Sequence, residues 1–251
     1  MAKLYFSYAA MNAGKSTILL QASHNYRERG MNTMLLTARL DDRVGEGRIG
    51  SRIGLEAAAF VFDGETDMTS LIEAEQAKTS LACVMVDEAQ FLTDAQVWQL
   101  ADVADRLRIP VMCYGLRTDF QGNLFPGSAR LLAIADVLRE IRTICHCGSK
   151  ATMVVRQDGD GKVIREGAQI EIGGNARYVS LCRRHWNEAM AETAGGGQGA
   201  PSPIRPERLP YCRSPSSRRM RTVPRAARHA RKSPDPSPGG KSRPVRNHHR
   251  K

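Results

Sequence analysis

The chain has 251 residues and a formal net charge of +11, with 37 Lys and Arg against 26 Asp and Glu. From Ala194 onward there are 15 basic and 2 acidic side chains, a net of +13, so residues 1–193 carry the remaining 22 and 24, a net of −2. The body is therefore near-neutral, which argues against a nucleic-acid-coating domain, and no run in it approaches the roughly 20 apolar residues that span a bilayer.

Such a length suffices for one well-buried domain plus a smaller module. The apolar stretch Leu4–Ala10 runs straight into Asn12 and Gly14-Lys15-Ser16 without a cleavage region, unlike a secretory signal. Three of the cysteines cluster with a histidine at metal-ligand spacing, which fits a reducing cytoplasm better than a disulfide framework.

Leu4–Tyr8 reads as a strand and Ser16–Arg29 as a helix stopped by Gly30. Between them lie Ala9-Ala10-Met11-Asn12-Ala13-Gly14-Lys15-Ser16, where a phosphate-binding loop belongs. In a G-x-x-x-x-G-K-[ST] loop, backbone N–H groups surround the phosphates, the lysine adds a point charge and the hydroxyl ligates Mg²⁺. Gly14-Lys15-Ser16 is intact, but Ala9 stands in place of the first glycine, which a negative φ would tolerate. A lone Gly-Lys-Ser also arises by chance, so a second motif has to decide.

Further apolar runs follow at Met34–Thr37, Leu81–Val86 and Val111–Leu116, alternating with helical patterns such as Asp94–Leu107. That rhythm predicts a parallel sheet covered by helices. Thr93 and Gln96 make a capping box, Val97, Leu100, Ala104 and Leu107 form the buried stripe, and Pro110 ends the segment. Leu81–Val86 is continuously apolar, as a strand buried on both faces should be, and it ends in Asp87-Glu88. There Asp87 would reach a Mg²⁺ ion and Glu88 would accept a proton beside the γ-phosphate. The bland alternative is a pair of acids that simply ends a strand. Cys83 and Cys113, inside apolar strands, read as packing residues.

From Thr143 the texture changes to cysteines, short β-like runs and a turn at Asp158-Gly159-Asp160-Gly161. Cys145-x-Cys147 and Cys182-x-x-His185, with 34 residues between them, supply three thiolates and one imidazole, a complete set for structural Zn²⁺ with no open position. The alternative is free cysteines in a loop-rich lobe. His146 reads as exposed and His24 as a surface residue. Residues 194–251 are rich in Gly, Pro, Ser and Arg and poor in aliphatics, which predicts disorder. The expected division is a nucleotide-binding domain over 1–142, a zinc-binding module over 143–193 and a basic tail over 194–251.

With these constellations in order, the chain from Lys3 to about Ala189 closely resembles the zinc-carrying, type II thymidine kinases. The resembling stretches are Ala10 to Thr17, Val86-Asp87-Glu88-Ala89-Gln90-Phe91-Leu92, Cys113 to Phe120, and Ile172-Gly173-Gly174 leading to Tyr178 and Cys182. The fold class implied is α/β, a P-loop NTPase (RecA-like) parallel sheet with a zinc-anchored lasso. The reaction implied is transfer of the γ-phosphate of ATP to the 5′-hydroxyl of thymidine, with Glu88 as general base.

The resemblance assigns ATP and Mg²⁺ to the loop Ala9 to Ser16 and to Asp87, Glu88, Ala89 and Gln90. It assigns thymidine to Met11, Leu116, Phe120, Gln169, Ile170, Glu171, Ile172, Gly173 and Tyr178, with Phe120 packing on the thymine ring. Asp41 and Arg43 resemble a pair at the acceptor end. A homotetramer is implied, and any nucleic-acid contact would come from the tail alone. The rival reading is a nucleic-acid-dependent P-loop ATPase carrying a zinc module.

Overall fold

Apolar strands alternate with helices along the first 140 residues, and the structure, a computed structural model, assembles them into one parallel sheet. It describes residues 1–41, 45–169 and 178–191, all within one compact unit, Met1–Leu209. In chain order come β1 (Leu4–Ala9), α1 (Lys15–Glu28), β2 (Asn32–Ala38), β3 (Arg48–Gly50), β4 (Glu56–Ala58), β5 (Phe60–Phe62), α2 (Met68–Lys78), β6 (Leu81–Val86), a 3-10 turn at Ala89–Phe91, α3 (Asp94–Asp102), β7 (Val111–Leu116), α4 (Pro126–Ile134) and β8 (Val137–Glu140). The six-stranded sheet has the order β5-β2-β6-β7-β1-β8, with every pairing parallel.

Side-chain alternation sends one set of residues to each face. Phe6, Met34, Leu36, Val84 and Val86 pack under α2, α3 and α4, through Met68, Ile72, Val97, Leu100 and Leu131. Leu35, Cys83, Met85 and Tyr114 pack under α1 through Leu19 and Leu20, with Ile49 of β3 beside them. Because the strands are parallel, the segments leaving β1, β2, β6 and β7 all emerge at one edge of the sheet.

The capping box of α3 forms as expected, with the Thr93 hydroxyl accepting from the Gln96 amide and the Gln96 side chain accepting from Thr93 N–H. The helix differs in its last turn, which widens to a π-turn over Val103–Leu107 before Arg108 at φ 57°. The wider turn lets adjacent Val103 and Ala104 both be buried.

The second lobe is built from β9 (Thr143–Ile144), β10 (Lys150–Ala151), β11 (Met153–Gln157), β12 (Val163–Ile164), β13 (Tyr178–Leu181) and α5 (Arg183–Ala191). β9 and β10 form a hairpin, and β12-β11-β13 form an antiparallel sheet. The expected turn is present: Asp158 accepts from the amides of Asp160 and Lys162, and Gly161 takes φ 82°. The predicted disordered tail lies outside the described residues.

Gly127, in the first turn of α4, fixes how closely that helix approaches the segment after β6. A Cβ there would stand 2.6 Å from Leu92 O and 2.7 Å from Ala89 O, both backbone atoms that cannot swing away. Gly127→Ala is expected to cost about 1–3 kcal/mol, the range for forced overpacking. Urea denaturation checks this, and an unchanged midpoint would mean that α4 is free to shift.

Candidate active site

Ala9 is the last residue of β1, paired with Leu116, and its φ is not positive, so its Cβ is accommodated where a glycine was the commoner expectation. The sharp turns fall instead on Asn12 at φ 63° and Gly14 at φ 85°. Gly14 starts α1 in the left-handed region with no side-chain cap and no acidic residue in the first turn. The N–H groups of that turn therefore point into the loop, an arrangement suited to an anion. Lys15 is only 7% exposed.

Asp87 and Glu88 lie beside this loop. The Ser16 hydroxyl bonds the Asp87 carboxylate and the Lys15 charge acts on it, while burial and the neighbouring Glu88 carboxylate push the Asp87 carboxyl up to about 6. Glu88 sits at φ 50°, rare for a residue with a side chain, and its amide donates to Asp87 Oδ1 at 3.0 Å. Gln90 holds the strained turn. Its Nε2 donates to Glu88 Oε2 at 2.5 Å, and its Oε1 accepts from Leu116 N–H at 2.9 Å. Gly115 leaves room for it, since a Cβ there would meet Gln90 N and Oε1 at 3.0 Å. Ser128 closes the same corner by donating to Leu116 O.

On the other side of the sheet edge, Asp119 is buried, and Oδ1 accepts from the amides of Gln121 and Asn123. Its Oδ2 accepts from Gln169 Nε2 at 2.9 Å. Phe120 is 1% exposed, with the Arg156 guanidinium 4.1 Å above its ring. Trp186 of α5 donates its indole N–H to Phe120 O and Val154 O. Two more bonds join the lobe to the β1–α1 loop: Ser180 Oγ donates to Met11 O, and Asn12 Nδ2 donates to Tyr178 O at 3.3 Å. Met11, Leu116, Phe120, Gln169 and Tyr178 thus belong to one connected corner. Ile170, Glu171, Ile172, Gly173 and Arg43 lie outside the described residues; Ala89 and Gln90 are buried in the turn after Glu88.

Cys145, Cys147, Cys182 and His185 converge, with all ligand atoms within 4.8 Å of one another. His185 Nδ1 is 3.3 Å from Cys145 Sγ and 3.4 Å from Cys182 Sγ, and the Cys147 and Cys182 sulfurs are 3.9 Å apart. Tetrahedral Zn²⁺ bonds of about 2.3 Å to sulfur and 2.0 Å to nitrogen place ligands roughly 3.5–3.8 Å apart. The donor set and its spacing therefore fit a metal of that kind. His185 turns Nδ1 toward the sulfurs, while its Nε2 lies 3.1 Å from Arg184 Nη2 and 3.7 Å from Glu188. His146 is exposed, although its ring lies 4.2 Å from that of His185.

The thymidine kinase family model matches residues 2–186. The chain belongs to the thymidine kinase family. Among relatives carrying that name, one from Rhizobium meliloti is 69% identical over 194 residues, which cover 76% of this chain and all of the relative. Another, from Agrobacterium fabrum, is 67% identical over 190 residues, covering 76% of this chain and 98% of the relative. A third, from Shewanella oneidensis, is 60% identical over 188 residues, covering 75% and 98%. About a quarter of this thymidine kinase family member therefore has no counterpart in those relatives.

Sequence reasoning missed the parts of the site that depend on tertiary adjacency: Ser128, Asp119, Arg156, Ser180 and Trp186. Asp119-Phe120-Gln121 carried one local signal, an Asp two residues before a donor amide, the pattern of an Asx turn.

Burial pushes the Cys83 thiol up to about 12 and the Cys113 thiol higher still, so neither is a thiolate near neutral pH. Alkylation of native protein with iodoacetamide at pH 8, read by peptide mapping, should leave both unmodified until denaturant is added. Modification of Cys113 in the native state would show that the sheet centre opens.

Proposed function

We propose that this thymidine kinase moves the γ-phosphoryl group of ATP to the 5′-hydroxyl of thymidine at the corner between the β1–α1 loop, the Asp87-Glu88 turn and Phe120. What carries the proposal is Glu88, a carboxylate locked by Gln90 beside Lys15, Ser16 and Asp87. The residues Ala9, Ala10, Met11, Asn12, Ala13, Gly14, Lys15 and Ser16 form the phosphate loop of a P-loop NTPase. The uncapped first turn of α1 supplies N–H donors to the phosphates and Lys15 supplies the point charge.

Glu88 accepts the proton of the 5′-hydroxyl as that oxygen bonds to the γ-phosphorus, and the bridging oxygen leaves with ADP. Gln90 keeps the carboxylate aimed, which spares the enzyme a search through rotamers at the moment of transfer. Asp87 and Ser16 fit a Mg²⁺ site, through an anionic and a neutral oxygen donor; bound there, the ion neutralises charge on the transferring group. The Thr37 hydroxyl, buried without a hydrogen-bond partner among the described residues, is consistent with a hydrated ion in this place.

Met11, Leu116, Phe120, Gln169, Ile170, Glu171, Ile172, Gly173 and Tyr178 line the thymidine pocket. Arg156 now covers one face of Phe120, so a base that packs on this ring uses the other face or displaces the guanidinium. Cys145, Cys147, Cys182 and His185 hold structural Zn²⁺, and the segments 1–142, 143–193 and 194–251 are the kinase domain, the zinc lobe and a basic tail. The active form is a cytoplasmic homotetramer; no helix among the described residues is long and apolar enough to cross a membrane.

The rival reading as a nucleic-acid-dependent ATPase is not favoured, because the relatives that span the body are named thymidine kinases. ADP release that requires thymidine tests the proposal, and release stimulated by single-stranded DNA instead would overturn it. Glu88→Gln should lower kcat by about 10²–10⁴, the usual worth of a general base, while ATP affinity stays near wild type in calorimetry. Near-normal turnover would assign the proton to another group. Metal analysis should find one zinc per active chain, and Cys145→Ala should lower the melting temperature and weaken thymidine binding more than ATP binding.

A further inference from the structure

We propose that Thr37 is a positioning residue for the cation site at Asp87, an inference that rests on the Mg²⁺ role proposed for Asp87 and Ser16. Thr37 lies near the carboxyl end of β2 and is 1% exposed, yet its Oγ1 has no hydrogen-bond partner among the described residues. Its neighbour Leu35 packs under α1, whereas Leu36 packs under the opposite helices, so alternation puts Thr37 on the α1 face. Asp87 is on that face too, next after Cys83 and Met85.

The register places the two side by side. Leu36 pairs with Val86, and the Asp87 amide donates to Leu36 O at 2.8 Å, so Thr37 and Asp87 occupy the next rung on adjacent strands about 4.8 Å apart. A buried hydroxyl without a partner disfavours the folded state, and valine would fill the same volume without that penalty. The hydroxyl makes sense when a ligand completes it. Mg²⁺ sheds its waters reluctantly and is usually held by one or two carboxylates, phosphates and several retained waters. A water of that shell would donate to Thr37 Oγ1. The hydroxyl would thus orient the ion's hydration on the side of β2.

The test compares Mn²⁺·ADP binding, followed by electron paramagnetic resonance, in wild type, Thr37→Val, Thr37→Ser and Asp87→Asn. Thr37→Val should bind Mn²⁺·ADP about tenfold more weakly, the lower end for loss of an outer-sphere partner. Its metal-free melting temperature should equal or exceed that of wild type, metal-free ADP binding should be unchanged, and Thr37→Ser should restore the metal affinity. If Thr37→Val binds Mn²⁺·ADP as wild type does while Asp87→Asn does not, this inference fails and the role of Asp87 stands. If Thr37→Val instead melts lower without metal and loses ADP affinity equally with and without Mn²⁺, the hydroxyl is structural and the inference again fails. If Asp87→Asn binds Mn²⁺·ADP like wild type, the cation reading itself falls, and this inference with it.

Discussion

The arrangement of the site depends on one buried amide. Gln90 reaches from the turn after β6 to the end of β7, donating to Glu88 and accepting from Leu116. Glu88 occupies left-handed backbone, which costs an L-residue about 1–2 kcal/mol, so the turn persists because its surroundings over-determine it. Those surroundings are specific. Gly115 and Gly127 omit the Cβ atoms that would collide with the Gln90 amide or with the carbonyls of Ala89 and Leu92. Ser128 takes the remaining polar group of Leu116. Two strand ends and the start of α4 are thereby one block, and the Glu88 carboxylate is oriented by the core rather than by solvent.

The Cys/His lobe is joined to this block through polar contacts. Ser180 donates to Met11 O of the β1–α1 loop and Asn12 of that loop donates to Tyr178 O, Trp186 reaches Phe120 O, Gln169 bonds Asp119, and Arg117 donates to Thr152 O. The lobe's own core consists of Cys145, Ala151, Val155 and Leu181 with a few partly buried neighbours. A core of that size needs a staple. A metal held by these four clustered residues would draw the β9–β10 turn onto the first turn of α5 and so fix β13, the strand that meets Met11 and Asn12. Order imposed there would reach both sides of the proposed site through a few hydrogen bonds.

The sheet was legible because its central strands are buried on both faces. Leu81–Val86 and Val111–Leu116 have to read as unbroken apolar runs, and such runs have few other uses in a chain with this spacing. The capping box of α3 was legible because its residues are three apart. The edge strands were not: β5 has three residues, and β8 ends in Arg139-Glu140, since an edge strand faces water and loses the apolar signature. The site divides in the same way. Lys15, Asp87, Glu88 and the Cys/His ligands announce themselves by type and short spacing, whereas Ser180 and Met11 are 169 residues apart and only the folded chain pairs them. Ala9 illustrates the converse, a departure from the glycine pattern that is harmless because the left-handed turns fall on Asn12 and Gly14.

The unliganded site also contains its own electrostatic argument. Its negative side crowds the carboxylates of Asp87 and Glu88 in a buried space, and burial together with mutual repulsion raises the Asp87 carboxyl against the pull of Ser16 and Lys15. Its positive side gathers Lys15 and the uncapped start of α1. A polyphosphate alone would satisfy the positive side and add repulsion to the negative one. A divalent cation alone would do the opposite. The two together would relieve both sides, and binding energy of that kind, absent from the unfolded chain, would stabilise the native state increasingly as ligand concentration rises. The same reasoning accounts for the Thr37 hydroxyl, which has no hydrogen-bond partner among the described residues. It is a position where the proposed ligands would complete an interaction that the fold leaves open.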